Sequence, residues 1–147
     1  MTKAIALLIL VASLLSMNAH ASVELGPAIA TGFESWHSNN RDDLNPHNTG
    51  IGLRVAGGWT LGSYYNSIRR WSVYAGYEWQ WRLVGSDDHA LRIGAVTGAV
   101  SGYKGGLKAL VLPELVVAWK PVEVAVIVIP RYTKDPITVA LQLRYNF

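Results

Sequence analysis

The chain contains no cysteine. This absence excludes a disulfide framework, and it removes the residue on which an exported chain would be anchored as a lipoprotein. No spacing typical of a metal site, a phosphate-binding loop or a catalytic carboxylate pair is present either, and the neighbouring acids Asp42-Asp43 and Asp87-Asp88 are typical of solvated turns. We therefore expect no metal and no cofactor.

Long hydrophobic runs are also missing beyond the N-terminus. Half of the residues are hydrophobic, yet no apolar run after residue 21 reaches the ~18 residues that a membrane-spanning helix needs. The chain also has no large excess of one charge sign, because its formal net charge is only +3. A charge this small does not favour a nucleic acid partner.

The N-terminus has the features of an export signal. Lys3 precedes an apolar run over residues 4–15, and Ala19, His20 and Ala21 follow it. A positive start, a short apolar core and a small-residue ending predict a secretory signal peptide over residues 1–21, with a single domain over residues 22–147.

The last strand-like segment alternates strictly between apolar and polar side chains. One face carries Val139, Leu141, Leu143, Tyr145 and Phe147, whereas the other carries Ala140, Gln142, Arg144 and Asn146. Residues 71–82 repeat the pattern, with aromatic residues at odd positions and polar ones at most even positions. Strands with this period of two have one apolar and one polar face.

Eight such segments of about ten residues follow the signal, separated by Gly, Asn, Asp and Pro. They cover residues 24–37, 50–56, 59–66, 71–82, 90–102, 108–118, 122–129 and 137–147. Together with six Trp and seven Tyr, they predict an all-β, eight-stranded antiparallel transmembrane β-barrel of the bacterial outer membrane, here expected as a monomer with outer-membrane lipids as partners. The alternative is a secreted soluble β-sandwich.

The barrel topology gathers polar residues at the predicted outer rim. His37 ends the first strand, while Asn66 and Ser67 end the third. A histidine and a serine at one membrane height could form an acyl-transfer pair, in which the imidazole is the base for the hydroxyl. The alternative is that these residues are simply solvated at the rim.

The alternation of the fourth strand directs Glu78, Gln80 and Arg82 into the lumen. A buried carboxylate requires a partner, because its desolvation costs several kcal/mol. Arg144, Gln142 or Arg92 could supply one. The simplest interpretation is a polar network that fills a small barrel.

On these residues the chain resembles the outer-membrane lipid A palmitoyltransferases of the PagP type. The resemblance covers most of residues 22–147, and the shared proline spacing near the C-terminus is its most specific part. It depends on Trp36 and His37, Asn45, Gly50 and Gly52, Ser67 and Trp71, residues 75–77 with Trp79, and Pro113, Pro121 and Pro130.

The resemblance implies a function at the outer membrane. Such enzymes move a palmitoyl chain from a phospholipid to lipid A and hold the chain inside the barrel. Their catalytic histidine corresponds to His37, their Asp-Ser pair corresponds to Asn66 and Ser67, and Glu78, Tyr77 and Trp79 are then expected near the substrate.

Three departures from the family pattern affect the expected activity. Asn66 replaces a carboxylate, and an amide cannot stabilise an imidazolium as a charge can. Too few residues separate Ala21 from the first strand for the amphipathic helix that the family has there. Glu78 occupies a glycine position at the floor of the acyl pocket, so the pocket is expected to be shorter or lost, since alkyl chains bind against apolar walls.

Three functions therefore compete. The first is an acyltransferase that acts on lipid A. The second is a non-catalytic barrel that serves as a surface scaffold or modifies the envelope. The third is a lipid hydrolase, for which the sequence offers no distinct motif.

Overall fold

The computed structural model describes residues 22–38, 43–130 and 137–147. The predicted signal peptide lies outside these ranges, as do parts of the first and last predicted outer loops. Eight strands form a closed barrel in which each strand pairs antiparallel with its neighbours in sequence and β8 pairs with β1. The strands are β1 Ala28–His37, β2 His47–Arg54, β3 Trp59–Tyr65, β4 Trp71–Gly85, β5 His89–Tyr103, β6 Gly106–Trp119, β7 Val122–Ile129 and β8 Thr138–Asn146.

The predicted eight-stranded antiparallel barrel is thus confirmed, and most of the predicted strand ends agree within three residues. No helix in the described ranges is long and apolar enough to cross a membrane. We call the end of the barrel that carries His37 the upper end and the end that carries Ala28 the lower end.

The first strand starts four residues later than predicted, at Ala28 rather than at residue 24. Residues 22–27 instead cross the lower end of the barrel. Ser22 forms a bridge with Trp81 on β4, and the carbonyl of Leu25 accepts a hydrogen bond from the amide of Gly57 after β2. Leu25 is buried there, so this segment covers the lower opening.

The barrel is apolar outside and holds both polar and apolar side chains inside. Its exposed large hydrophobic side chains come from every strand except β5, for example Ile51, Leu61, Val73 and Leu143. Its buried side chains include Glu, Arg, Gln and Asn. The alternation seen in the sequence therefore places apolar residues on the outer face, which is the reverse of a protein with an apolar core.

Aromatic residues lie on the outer face near both ends of the barrel. Near the upper end are Trp36 at the end of β1 and the contacting pair Tyr65 and Trp71, with ring centroids 5.9 Å apart. Towards the lower end a chain of ring contacts joins Trp59, Tyr77, Trp79 and Trp81. The outer surface thus has an apolar band between two aromatic zones.

A tyrosine ring fills part of the interior because two glycines leave room for it. Tyr74 of β4 points inward and is buried. A methyl group on Gly62 would lie 2.6 Å from its ring, and one on Gly52 would lie 2.2 Å from its hydroxyl oxygen. The glycines of β2 and β3 are therefore required by a close side-chain approach and not by a turn.

Candidate functional site

A cavity of about 770 Å³ extends down the barrel from its upper end. Its side walls are largely apolar, and their aliphatic and phenylalanine side chains on the strands come from β1 and β5 to β8, namely Ala28, Ala30 and Phe33 of β1, Val96 and Val100 of β5, Ala109, Leu110 and Leu112 of β6, Ile127 and Ile129 of β7, and Ala140 of β8. The cavity reaches the upper end at His37, Ser67 and Pro130, and it ends below at Arg54, Glu78 and Arg144. An elongated apolar ligand could enter from above and extend down to these charged groups.

A layer of charged side chains forms the lower boundary of the cavity. This ionic floor consists of three arginines and three glutamates, Arg54, Arg92, Arg144, Glu78, Glu114 and Glu123, and all six are buried. Equal numbers of both signs remove the net charge of the floor. Such pairing is what makes buried charge tolerable, since an isolated ion would lose its hydration without compensation.

Glu78 lies at the centre of the ionic floor. Its Oε1 accepts hydrogen bonds from Nη1 of Arg54 and from Nη1 of Arg144, each at 2.8 Å. Gln80 Nε2 donates to the same oxygen at 2.6 Å. Glu78 is therefore a fully engaged structural carboxylate at the base of the cavity and closes it from below.

The other two glutamates extend the ionic floor across the barrel. Arg144 Nη2 donates to Glu114 Oε2 at 2.7 Å, and Arg92 Nη1 donates to Glu123 Oε1 at 3.1 Å. Arg54 Nη1 also reaches Glu123 Oε2 at 3.3 Å. The floor thus connects six strands, β2 and β4 to β8.

Sequence reasoning anticipated only part of this network. Arg144 was expected as a partner of Glu78 and is one, whereas Arg54 was missed. Glu114 and Glu123 were missed too, although each is a lone acid in an otherwise apolar strand. A lone charge at the inward phase of an apolar strand was the available signal. Arg82, expected inside, instead pairs with Asp87 at the lower rim.

Tyr77 and Trp79 flank Glu78 in sequence but point the other way. Neither lines the cavity. Both belong to the lower aromatic zone of the outer face, where their ring centroids are 5.9 Å apart. Of the three residues predicted near the substrate, only Glu78 therefore touches the cavity, and a role of the other two would have to be exercised on the outer surface.

His37 and Ser67 both line the mouth of the cavity, as their predicted positions on neighbouring rim segments suggested. The ring of His37 is held by Thr138, whose Oγ1 lies 2.7 Å from Nδ1. Thr138 begins β8, opposite His37 in the β1–β8 pairing. This partner was not predicted, since the contact depends on closure of the barrel between its first and last strands.

Asn66 is buried and organises the turn between β3 and β4. Its Oδ1 accepts hydrogen bonds from the backbone amides of Ile68 and Arg70, each at 3.0 Å. Its Nδ2 donates to Ser72 Oγ at 2.9 Å and to the carbonyl of Gly102 at 3.2 Å. Both ends of the amide are therefore used within the turn, so Asn66 positions Ser67 and does not face the cavity itself.

The second rim histidine also has a partner, on the outer face. His47 precedes the predicted second segment of residues 50–56, but it begins β2. Its Nδ1 lies 2.7 Å from Glu34 Oε2, and both side chains are mostly exposed. The pair joins β1 to β2 and does not line the cavity.

Among the described residues, backbone pairing between β6 and β7 ends below the upper end of the barrel. It extends from Trp119 and Val122 up to Glu114 and Ile127. The next residue of β6 is Pro113, which has no amide hydrogen to donate. Leu110 and Leu112, above this point, still line the cavity.

Fold and interior together define the class of protein. It is a closed eight-stranded antiparallel β-barrel with an apolar exterior, an ionic floor and an apolar cavity that opens at one end. No protein-family model matches the chain, and no curated protein matches it.

Proposed function

We propose that this protein is an outer-membrane enzyme that transfers an acyl chain from a phospholipid to lipid A. The observation that carries the proposal is the apolar cavity, which opens beside His37 and Ser67 and ends on the ionic floor. The proposal agrees with the resemblance in sequence to lipid A palmitoyltransferases.

The outer surface supports a membrane location. Trp71 and Ile51 each expose 65% of their surface, and Trp59 exposes 62%. Monomeric soluble proteins rarely expose continuous apolar surface of this kind. An apolar band flanked by aromatic residues is the usual exterior of a transmembrane barrel.

The shape of the cavity supports an alkyl chain as its occupant. Each methylene that moves from water to an apolar wall contributes about 0.8 kcal/mol. The chain cannot continue past Glu78, because it would have to separate that carboxylate from Arg54 and Arg144. The ionic floor therefore limits the length of acyl chain that fits.

His37 is the proposed general base. Its hydrogen bond to Thr138 uses Nδ1 and fixes the ring. We therefore assign the proton transfer to the other ring nitrogen, Nε2. In the proposed step Nε2 accepts the proton of a lipid A hydroxyl, whose oxygen forms the new ester bond with the acyl carbonyl carbon. The ester oxygen of the phospholipid leaves and takes the proton back, which produces a lysophospholipid.

Ser67 is the proposed second polar group of the site. Its turn is held by Asn66, whose side-chain amide forms hydrogen bonds with Ile68, Arg70, Ser72 and Gly102. Without a carboxylate beside His37, the imidazolium that forms during proton transfer receives less stabilisation. We therefore expect slow turnover.

Mass spectrometry of lipid A from cells that express the protein tests this proposal. The expected result is a mass gain of one acyl chain, lost in His37→Ala and in Ser67→Ala because each removes a polar group at the cavity mouth. Matched controls are His89→Ala and Ser86→Ala, which change the same residue types at the lower end. Both controls should keep the mass gain.

The other functions predict different spectra. A loss of one acyl chain that depends on His37 would favour a hydrolase with water as acceptor. Unchanged lipid A, with the folded protein present in the outer membrane, would contradict catalysis and favour a non-catalytic barrel. The tight engagement of Asn66 within its turn is the observation that favours this second candidate.

A further inference from the structure

Three basic residues line the mouth of the cavity. Arg70, Lys104 and Lys108 are all exposed, and none forms an ion pair with another described residue. The acidic residue among the described residues of this mouth is Asp43. The described part of the mouth therefore carries more positive than negative charge, above walls that are apolar.

Arg70 is aimed at the cavity by a strained turn. Arg69 has a φ of 60°, which is uncommon for a residue other than glycine. Asn66 holds the turn in place by accepting hydrogen bonds from the amides on both sides of Arg69. The result is that Ile68 and Arg70 line the cavity whereas Arg69 does not. Strain of this kind persists only where the surroundings determine it.

The two lysines come from the neighbouring connection. Lys104 follows the end of β5. Lys108 has the same alternation phase on β6 as Leu110 and Leu112, and it pairs with Val100, which also lines the cavity. Tyr64 of β3 and Tyr103 of β5 also line the cavity, and their hydroxyl groups lie 3.1 Å apart.

We propose that Arg70, Lys104 and Lys108 form a binding site for the phosphate of an anionic amphiphile whose alkyl chain occupies the cavity. Arginine can bind two phosphate oxygens at once, and lysine acts as a point charge. The tyrosine hydroxyls can donate further hydrogen bonds. The inference rests on the proposed function, to which it adds the residues that bind the phosphate of the phospholipid donor.

Competition between two amphiphiles with the same chain tests the site. The protein is folded in neutral detergent and given dodecyl phosphate and dodecyl maltoside at equal concentrations, and the retained molecules are counted by native mass spectrometry. We expect wild type to retain dodecyl phosphate preferentially, by about tenfold or more. The triple variant Arg70→Gln, Lys104→Gln, Lys108→Gln should lose this preference and keep dodecyl maltoside.

Two single variants serve as matched controls. Arg69→Gln removes the same charge from the same turn at a position that does not line the cavity, and Lys120→Gln removes a cation at the lower end, where Lys120 pairs with Asp88. Both should keep the wild-type preference. Lys104→Gln alone, on an exposed turn, should reduce the preference severalfold. This single variant tests the site even if the triple variant fails to fold.

The outcomes separate this proposal from the catalytic one. Binding needs no proton transfer, so unchanged lipid A would contradict the catalytic proposal, and the competition would still decide this one. Inorganic phosphate that releases dodecyl phosphate but not dodecyl maltoside would indicate recognition of phosphate itself, whereas release only by another alkyl phosphate would indicate a lipid ligand. An unchanged preference in Lys104→Gln and the triple variant would overturn the proposal, as would retention of neither amphiphile by wild type.

Discussion

At the scale of single residues, Asn66 decides more about the site than its predicted role suggested. By residue type alone, the resemblance makes Asn66 a weaker replacement for a catalytic acid. In the barrel Asn66 is a buried turn residue, whose amide oxygen accepts two hydrogen bonds and whose amide nitrogen donates two. An amide satisfies both kinds of neighbour, and a carboxylate could satisfy only the donors.

Restoring the acid at this position should therefore harm the protein. In Asn66→Asp the new oxygen would face the carbonyl of Gly102, and we expect a loss of about 1–3 kcal/mol in the free energy of unfolding, as for a buried polar group without its partner. Urea unfolding in lipid vesicles measures it. Ser38→Asp, which places a carboxylate at an exposed position of the upper end, is the control and should change little.

A gain of acyl transfer in Asn66→Asp, with wild-type stability, would contradict this account. It would mean that the side chain can turn towards His37 and that the turn tolerates the loss of its donor contacts.

At the scale of strands, the stability of the barrel depends on the charge pairs of the ionic floor. Each of six strands contributes one charged side chain, and hydrogen bonds join the six into one network. Removing one member leaves an opposite charge buried without a partner, which costs more than the pair itself contributes.

Glu78→Gln should destabilise the barrel by about 3–5 kcal/mol, because Arg54 and Arg144 both lose the negative charge of the carboxylate that they share. Urea unfolding followed by tryptophan fluorescence measures the loss, and Glu24→Gln, at an exposed position, is the control. The double variant Glu78→Gln with Arg54→Gln restores the balance of charge. It should be more stable than the sum of the single changes predicts; simple additivity would argue against a coupled floor.

At the scale of the whole molecule, the proposed membrane location predicts that substitutions on the apolar exterior have effects that depend on depth. Leu115 lies near the middle of β6 and Leu107 near its upper end, and both side chains are exposed on the outer face. A cation on the lipid face of a barrel costs about 2–4 kcal/mol at the bilayer midplane and about 0–1 kcal/mol near the interface.

Leu115→Arg should therefore destabilise the protein in lipid vesicles by about 2–4 kcal/mol, and Leu107→Arg by at most about 1 kcal/mol. Equilibrium unfolding in urea measures both. Equal small effects would indicate that the exterior is covered by something other than lipid.

The architecture was predictable from sequence because a barrel strand encodes its own orientation. In β4 and β8 the alternation of apolar and polar residues indicates the face on which each side chain lies. Turns such as Gly57-Gly58, both with positive φ, mark where the chain reverses. These signals are local. They determine the number of strands, their approximate ends and which residues point into the lumen.

What the tertiary structure decided are the contacts between residues far apart in the chain. Thr138 meets His37 because the barrel closes, Arg54 meets Glu78 across the lumen, and the start of the described chain crosses the lower end instead of extending β1. Alternation specifies a face but neither the height at which two strands align nor the partner across the lumen. Those depend on register and closure, which fix the ionic floor, the cavity above it and the residues at its mouth.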